Sequence, residues 1–233
     1  MDEPILTIDE RAAINGGRWF SSLSPSLRHD ILRCAYVRRY KDGDLIAARG
    51  DPPEDWIACA KGAVRVSSTS ISGKQITLTY VEPGIWFGDV SIFDGDRRTH
   101  DAYAHGDSTI LCVAKADFKK ILSAHVELYE ALLRLHARRI RQLYGLVEDL
   151  NTLPLRARLA KQLLHLQRSY GVPSLSDAGE VRIGLHLAQE ELAQLLGASR
   201  QRVNQELKSM ERENAAYGQI APIRMSLAGE RIR

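Results

Sequence analysis

Long apolar runs are missing from this chain. No stretch of its 233 residues approaches the ~18 apolar residues of a membrane-spanning helix. The start, Met1-Asp2-Glu3-Pro4, lacks the basic residues and apolar stretch of a secretory signal, so a cytoplasmic location is expected. Cysteine is scarce. Cys34, Cys59 and Cys112 are scattered among apolar neighbours, their number is odd, and no C-x-x-C pair occurs. That pattern speaks for buried structural thiols and against a redox or metal role. No H-E-x-x-H and no nucleophile elbow is present, so no enzyme is expected. Asp89, His100, Asp101 and His105 are the only loose metal-ligand set, and His100 and His105 would face opposite sides of a strand. Asp94-Gly95-Asp96 is a turn, too short for a calcium loop. There are no internal repeats and no low-complexity tracts.

The composition is 44% hydrophobic and 26% charged, which suits a globular chain with a real core. The length allows one or two domains. Net charge is only +3, but it is unevenly spread. Residues 1–150 carry 20 Lys/Arg against 21 Asp/Glu, while residues 151–233 carry 12 against 8. The basic part is the C-terminal third, as a nucleic-acid partner would favour.

That third holds the most informative run, from Gln189 to Leu207. Leu192, Leu195 and Leu196 lie at helical spacing. Ala193 is small where two helix backbones would approach. Gly197 suits a left-handed helix stop and Ser199 a helix start. Val203 and Leu207 then point inward. The outward face holds Arg200, Gln201, Asn204 and Gln205, with Lys208 a turn further on. This is a helix-turn-helix pattern, whose second helix enters the DNA major groove. Arginine bonds guanine O6 and N7, and glutamine or asparagine bonds adenine N6 and N7. The candidate DNA contacts are Ser199, Arg200, Gln201, Asn204, Gln205 and Lys208. A polar helix face can also be simply solvated.

Upstream, residues 8–39 read as helical with a break at Asn15-Gly16-Gly17, and Ser24-Pro25 offers a helix start. From about 40 to 116, short alternating segments are parted by turn signals, Lys61-Gly62 among them, at roughly 10-residue intervals. That predicts a β-roll or barrel. From about 117 the period becomes helical. Val126, Tyr129, Leu133, His136, Ile140, Leu143, Val147 and Leu150 repeat in steps of three and four. Such a seam suits a partner helix in a homodimer. Arg138, Arg139 and Arg141 lie off it. Pro154 ends the helix and marks a hinge. An apolar helix spans about 155–169. Residues 217–220 and 223–225 read as a two-stranded wing. The expected class is α+β: a sensor roll over residues 1–123, a dimerisation helix over 124–151, and a winged helix-turn-helix over 152–233.

A second constellation runs from Phe87-Gly88-Asp89-Val90 to Arg98-Thr99-His100. Gly88 permits close backbone approach to a ligand. Asp89 is an acceptor suited to hydroxyls, while Arg98 and Thr99 suit a phosphate. Here the chain resembles the cyclic-AMP receptor protein and fumarate–nitrate reductase regulator family of bacterial transcription factors. That family's phosphate-binding cassette reads F-G-E-[LIV], with R-[ST]-A about nine residues beyond the glutamate. Ser199-Arg200 through Leu207 resembles its recognition helix, and Arg156-Ala157-Arg158-Leu159-Ala160 the opening of its DNA-binding domain. The resemblance covers nearly the whole chain.

The resemblance implies a dimeric DNA-binding regulator that reads a near-palindromic operator, has RNA polymerase as a partner, and is gated by an effector. Gly88, Asp89 and Val90 would sit by a ribose, Arg98 and Thr99 by a cyclic phosphate, and Leu143 and Tyr144 by the base. Cyclic AMP, cyclic GMP and cyclic di-GMP are the candidate effectors. Aspartate replaces the family's glutamate at 89, shortening its reach by roughly 1.5 Å. His100 replaces the family's alanine, and Leu143-Tyr144 stands where cyclic-AMP members carry Thr-Ser. Two alternatives stay open: an effector-independent regulator with a vestigial cassette, and a ligand-binding module acting through a protein partner.

Overall fold

The computed structural model describes residues 6–71, 73, 75–173, 181–217 and 224–227. The chain divides into two compact units, residues 1–141 and 142–233.

The first unit opens with α1 (Ile8–Gly16). A capping box starts it: Thr7 N–H donates to Glu10 Oε2 at 2.8 Å, and Glu10 N–H donates to Thr7 Oγ1 at 3.3 Å. Ser24 caps α2 (Pro25–Cys34), accepting from Leu27 N–H at 3.3 Å, with Pro25 in the first turn. The sequence pattern extends this helix to residue 39. Instead, Ala35–Tyr40 form β1, paired antiparallel with β6 from Ala35↔Val113 to Tyr40↔Ser108. Tyr36, Val37 and Tyr40 favour a pleated surface, so pairing overrides helical spacing.

The roll continues with β2 (Leu45–Ala47), β3 (Asp55–Thr69), β4 (Gln75–Val81), β5 (Trp86–Phe87), the short α3 (Val90–Asp94) and β6 (Asp101–Ala114). Sheet order is β1-β6-β3-β4, with β2 pairing β6 and β5 pairing β3. Lys61-Gly62, which reads as a turn, lies inside β3. There the register against β6 slips between Cys59 and Ala63. It is a bulge that bends a long strand instead of ending it.

Alternation along β3 and β6 splits the core in two. Trp56, Ala58, Leu111 and Val113 face the helices and join Leu27, Phe118, Leu128 and Leu132. Ile57, Cys59, Ile110 and Cys112 face the other way and close on Val64, Val81 and Ala102. Burial pushes the Cys59 and Cys112 thiols up to about 12, so both stay protonated near neutral pH. Trp19, Trp56, Trp86, Phe20 and Phe118 form one aromatic cluster, with Trp56 and Trp86 centroids 4.2 Å apart. Trp86 immediately precedes Phe87-Gly88-Asp89, so this cluster anchors the base of the cassette.

Two helices close the roll: α4 (Lys115–Ala124) and α5 (Glu127–Thr152). His125 breaks them apart, its Nε2 lying 2.8 Å from Asp30 Oδ2 on α2. Leu128 and Leu132 of α5 are buried in the core of the first unit. Tyr129, Leu133, Ile140, Leu143, Val147 and Leu150 are exposed; Leu133 is 69% exposed beside Leu132 at 2%. Two members of the sequence-derived seam depart from it. Val126 lies in the break ahead of α5, because His125 is held back by Asp30. His136 is partly buried and lies against Asp89, its Nε2 2.8 Å from Asp89 Oδ2.

The second unit begins within α5, at Gln142. Lys161 Nζ grips Asp149 Oδ1 and Oδ2 at 2.6 and 2.8 Å, tying the end of α5 to α6 (Leu155–Tyr170). Leu155, Leu159, Leu163 and Leu166 form the buried stripe of α6. Next come β7 (Gly171–Pro173), β8 (Val181–Leu187), α7 (Gln189–Leu195), α8 (Arg200–Tyr217) and β9 (Arg224–Leu227). β7 pairs antiparallel and β9 parallel with β8. The expected wing is therefore redrawn. Tyr217 ends α8, since Ala215-Ala216 are strong helix formers. Residues 218–223 lie outside the described residues, and Arg224 and Met225 pair with Arg182 and Ile183.

Candidate effector site and nucleic-acid interface

The cassette grows out of β5, whose Trp86 and Phe87 pair with Ala58 and Ile57 of β3. Gly88 follows at φ +85°, a left-handed conformation that disfavours any side chain. A Cβ there would also fall 3.0 Å from Arg98 Nη1. Arg98 is held from both ends. Its backbone N–H donates to Asp51 O at 2.9 Å, and its carbonyl accepts from Gly50 N–H at 2.8 Å. Its Nη2 donates to Asp55 O at 2.9 Å. Burial presses the Arg98 pKa downward, and the Asp55 and Asp51 charges oppose that. Gly88 and the Arg98 guanidinium thus lie side by side.

The other cassette residues are placed differently. Val90 and Thr99 are exposed, and Thr99 Oγ1 lies 2.7 Å from His100 Nδ1. Burial, then the nearby Arg49 charge, lowers the His100 pKa. Leu143 and Tyr144 are also exposed. Asp89 is 1% exposed. Its Oδ2 lies 2.8 Å from His136 Nε2 and its Oδ1 3.6 Å from Arg139 Nη1. Arg139 Nη2 also donates to the Trp86 carbonyl. The carboxylate read as a ribose acceptor is thus paired inside its own chain. Sequence reasoning missed Arg139 as a cassette residue and placed His136 in the seam. The available signal was two basic side chains three residues apart, hence on one helix face.

The candidate DNA interface sits on α7 and α8. Glu191 accepts Ala188 N–H at 2.9 Å and so caps α7. Leu192, Ala193, Leu196 and Val203 are buried between the helices and their support. Gly197, at φ +60°, lets its N–H reach Gln194 O, and Ala198 N–H reach Ala193 O, both at 3.0 Å. Ser199 Oγ accepts Arg202 N–H at 3.4 Å. Arg200, Gln201, Gln205 and Lys208 are exposed, with Asn204 partly so. Two braces escaped sequence reasoning. Arg158 Nη1 on α6 donates to Leu196 O at 2.7 Å, neutralising the C-terminal end of α7. The Oε1 of buried Gln189 accepts from Arg200 Nε at 3.3 Å. Among the described residues, no helix is long and apolar enough to cross a membrane.

Two families match the chain: the cyclic nucleotide-binding domain over residues 37–125 and the Crp-like helix-turn-helix domain over residues 157–220. A CRP-like cAMP-activated global transcriptional regulator of Mycobacterium tuberculosis is 30% identical over 188 residues, 81% of this chain and 83% of that protein. The catabolite activator protein structure from Thermus thermophilus is 28% identical with a TM-score of 0.52, covering 84% of this chain and 87% of that one. The c-di-GMP responsive global regulator CLP of Xanthomonas campestris shares the fold at 19% identity and a TM-score of 0.67, over 82% of this chain and 93% of that one.

Proposed function

Because this chain belongs to the cyclic-AMP receptor protein and fumarate–nitrate reductase regulator family of transcription regulators, we propose that it works in the cytoplasm as a homodimer that reads a near-palindromic operator with α8 and answers to a phosphate-bearing nucleotide at the cassette. The observation that carries the DNA reading is the outward polar face of α8, set on a helix pair braced by Arg158 and Gln189. Arg200 is the first base reader, with guanine as its target, and Gln201 and Gln205 supply the remaining selectivity. The exposed stripe of Leu133, Ile140, Leu143 and Val147 supports pairing with a second α5. In such a dimer two recognition helices face successive major grooves, ~34 Å apart. The effector shifts the population between two arrangements of the helix-turn-helix units, with Pro154 as hinge. RNA polymerase is the partner that reads the outcome.

Arg98 carries the effector reading. It is partly buried and pinned beside Gly88, and its relatives include a cAMP-activated regulator. A second reading, DNA binding without any effector, is favoured by one observation: Asp89 already has His136 and Arg139 of its own chain beside it. Titration calorimetry with cyclic AMP, cyclic GMP and cyclic di-GMP separates the two, run beside gel shifts on genomic fragments. Saturable heat and tighter DNA binding with one nucleotide are expected, both lost in Arg98→Ala. DNA binding without heat selects the second reading. Absence of sequence-selective DNA binding, with or without nucleotide, overturns both.

A further inference from the structure

Resting on that effector reading, we propose that His136 is a specificity-determining residue of the cassette: it occupies the Asp89 carboxylate, so the site chooses its nucleotide by the phosphate and not by the sugar 2′-hydroxyl. The argument starts from what a buried carboxylate needs. An ionised aspartate only accepts hydrogen bonds, and leaving it unpaired away from water is costly. Asp89 is 1% exposed, and its nearest basic side chains are His136, with Nε2 2.8 Å from Oδ2, and Arg139, with Nη1 3.6 Å from Oδ1. Both stand on one face of α5, one helical turn apart. A sugar hydroxyl that sought Asp89 would have to displace the imidazole that stands 2.8 Å from it.

The contact is close but not saturated. Among the described residues, neither Asp89 oxygen receives an aligned hydrogen bond. His136 therefore stands against the carboxylate and obstructs the approach, without satisfying it fully. A hydroxyl admitted in its place would find a buried acceptor with capacity to spare. Arg139 is held at the side by its bond to the Trp86 carbonyl, so the nearer and more decisive obstruction is His136.

Arg98 stands in the opposite condition. Its Nη2 serves the Asp55 carbonyl, and among the described residues its other side-chain N–H groups have no protein acceptor. Guanidinium offers a fork of donors matched to phosphate oxygens. The phosphate anchor beside Gly88 is thus open, while the neighbouring hydroxyl acceptor is taken. A site in that state holds ribo- and 2′-deoxyribonucleotides alike.

The test is titration calorimetry of the full-length protein with 3′,5′-cyclic AMP and with its 2′-deoxy analogue. Wild type is expected to bind the two within about threefold of each other, because His136 stands between a sugar hydroxyl and Asp89. His136→Leu fills similar volume without a donor. It is expected to favour the ribo form by about tenfold or more, since the hydroxyl then supplies the donor that Asp89 needs. His136→Gln can still donate to Asp89 and is expected to keep the wild-type ratio. That split between Leu and Gln is one that loss of packing alone would not produce. Should His136→Leu fail to give a cooperative melt, His136→Ala takes its place. Binding of the ribo form by His136→Leu but of neither nucleotide by wild type also supports the inference. A strong ribo preference already in wild type, or an unchanged ratio in His136→Leu, overturns it and leaves the effector reading intact. Binding of neither nucleotide by any of these proteins overturns both.

Discussion

Asp89 lies at 1% exposure and faces His136 and Arg139 of its own chain, whereas Arg200 lies on the surface of α8 and, among the described residues, meets only the amide oxygen of Gln189. The same kinds of group are deployed in opposite ways. In the roll, charge is turned inward and tied across long sequence separations, from residue 89 to residues 136 and 139. In the helix-turn-helix, charge is turned outward, while its neighbours spend their bonds on holding the helices still: Arg158 on the Leu196 carbonyl, Glu191 on the Ala188 N–H. Inward charge fixes a conformation, so its removal is felt in stability. Outward charge is left for a partner, so its removal is felt in binding.

The sharpest break of that contrast removes both basic side chains from Asp89. His136→Leu combined with Arg139→Met leaves a buried carboxylate unpaired, a change worth about 3–5 kcal/mol of stability. Urea unfolding followed by tryptophan fluorescence reads it directly, since Trp86 lies in the cluster beneath the cassette. Arg200→Met, by contrast, is expected to change stability by less than about 0.5 kcal/mol. Equal effects at the two sites would abolish the distinction.

Glu10 extends the inward pattern to the other side of the roll. Its carboxylate is buried, with Arg39 Nη1 at 2.8 Å and Thr109 Oγ1 donating at 2.7 Å. Burial alone would raise its pKa. The bonds from Arg39, Thr7 N–H and Thr109 outweigh that and lower it from 4.5 to about 2. A depressed folded-state pKa stabilises the fold above the unfolded value, and that stability is lost as pH falls through the folded one. About 3 kcal/mol is therefore expected to disappear between roughly pH 4.5 and 2. Glu10→Gln should flatten the dependence in that window. An unchanged slope in acid denaturation would detach Glu10 from the pattern.

The two regions also differed in how much of them the sequence disclosed. Apart from the Arg158 brace, the residues that shape the helix turn lie within fifteen positions, from Gln189 to Val203. Local spacing and the Gly197 stop were enough to read it. The cassette residues were readable as a motif, but their geometry was not. Asp89 and His136 stand 47 positions apart, and along α5 a histidine on a heptad looks like an interruption of a seam rather than the partner of a distant carboxylate. Non-local pairing produced the other departures too. Residues 35–40 keep helical spacing, yet β6 claims them as a strand. Lys61-Gly62 carries a turn signal, yet the partners on both sides of β3 keep it in the sheet. Periodicity reports which face is apolar; it does not report what arrives to cover it.

The smallest effect tests the outward side of the contrast from within. Arg200→Ala is expected to lose about 1–3 kcal/mol of operator affinity, with little change toward competitor DNA. Gln189 is buried, so its effect on DNA must pass through the guanidinium that it holds at 3.3 Å. Gln189→Ala alone should therefore weaken specific binding by only about 0.5–1 kcal/mol, by returning rotamer freedom to Arg200. In the Arg200→Ala background the same change should cost nothing further, because the group it orients is gone. A double-mutant cycle on gel-shift affinities reads this as a coupling equal to the whole effect of Gln189→Ala. Independent, additive losses would mean that Gln189 acts on the packing of α7 and that Arg200 reaches DNA without being held.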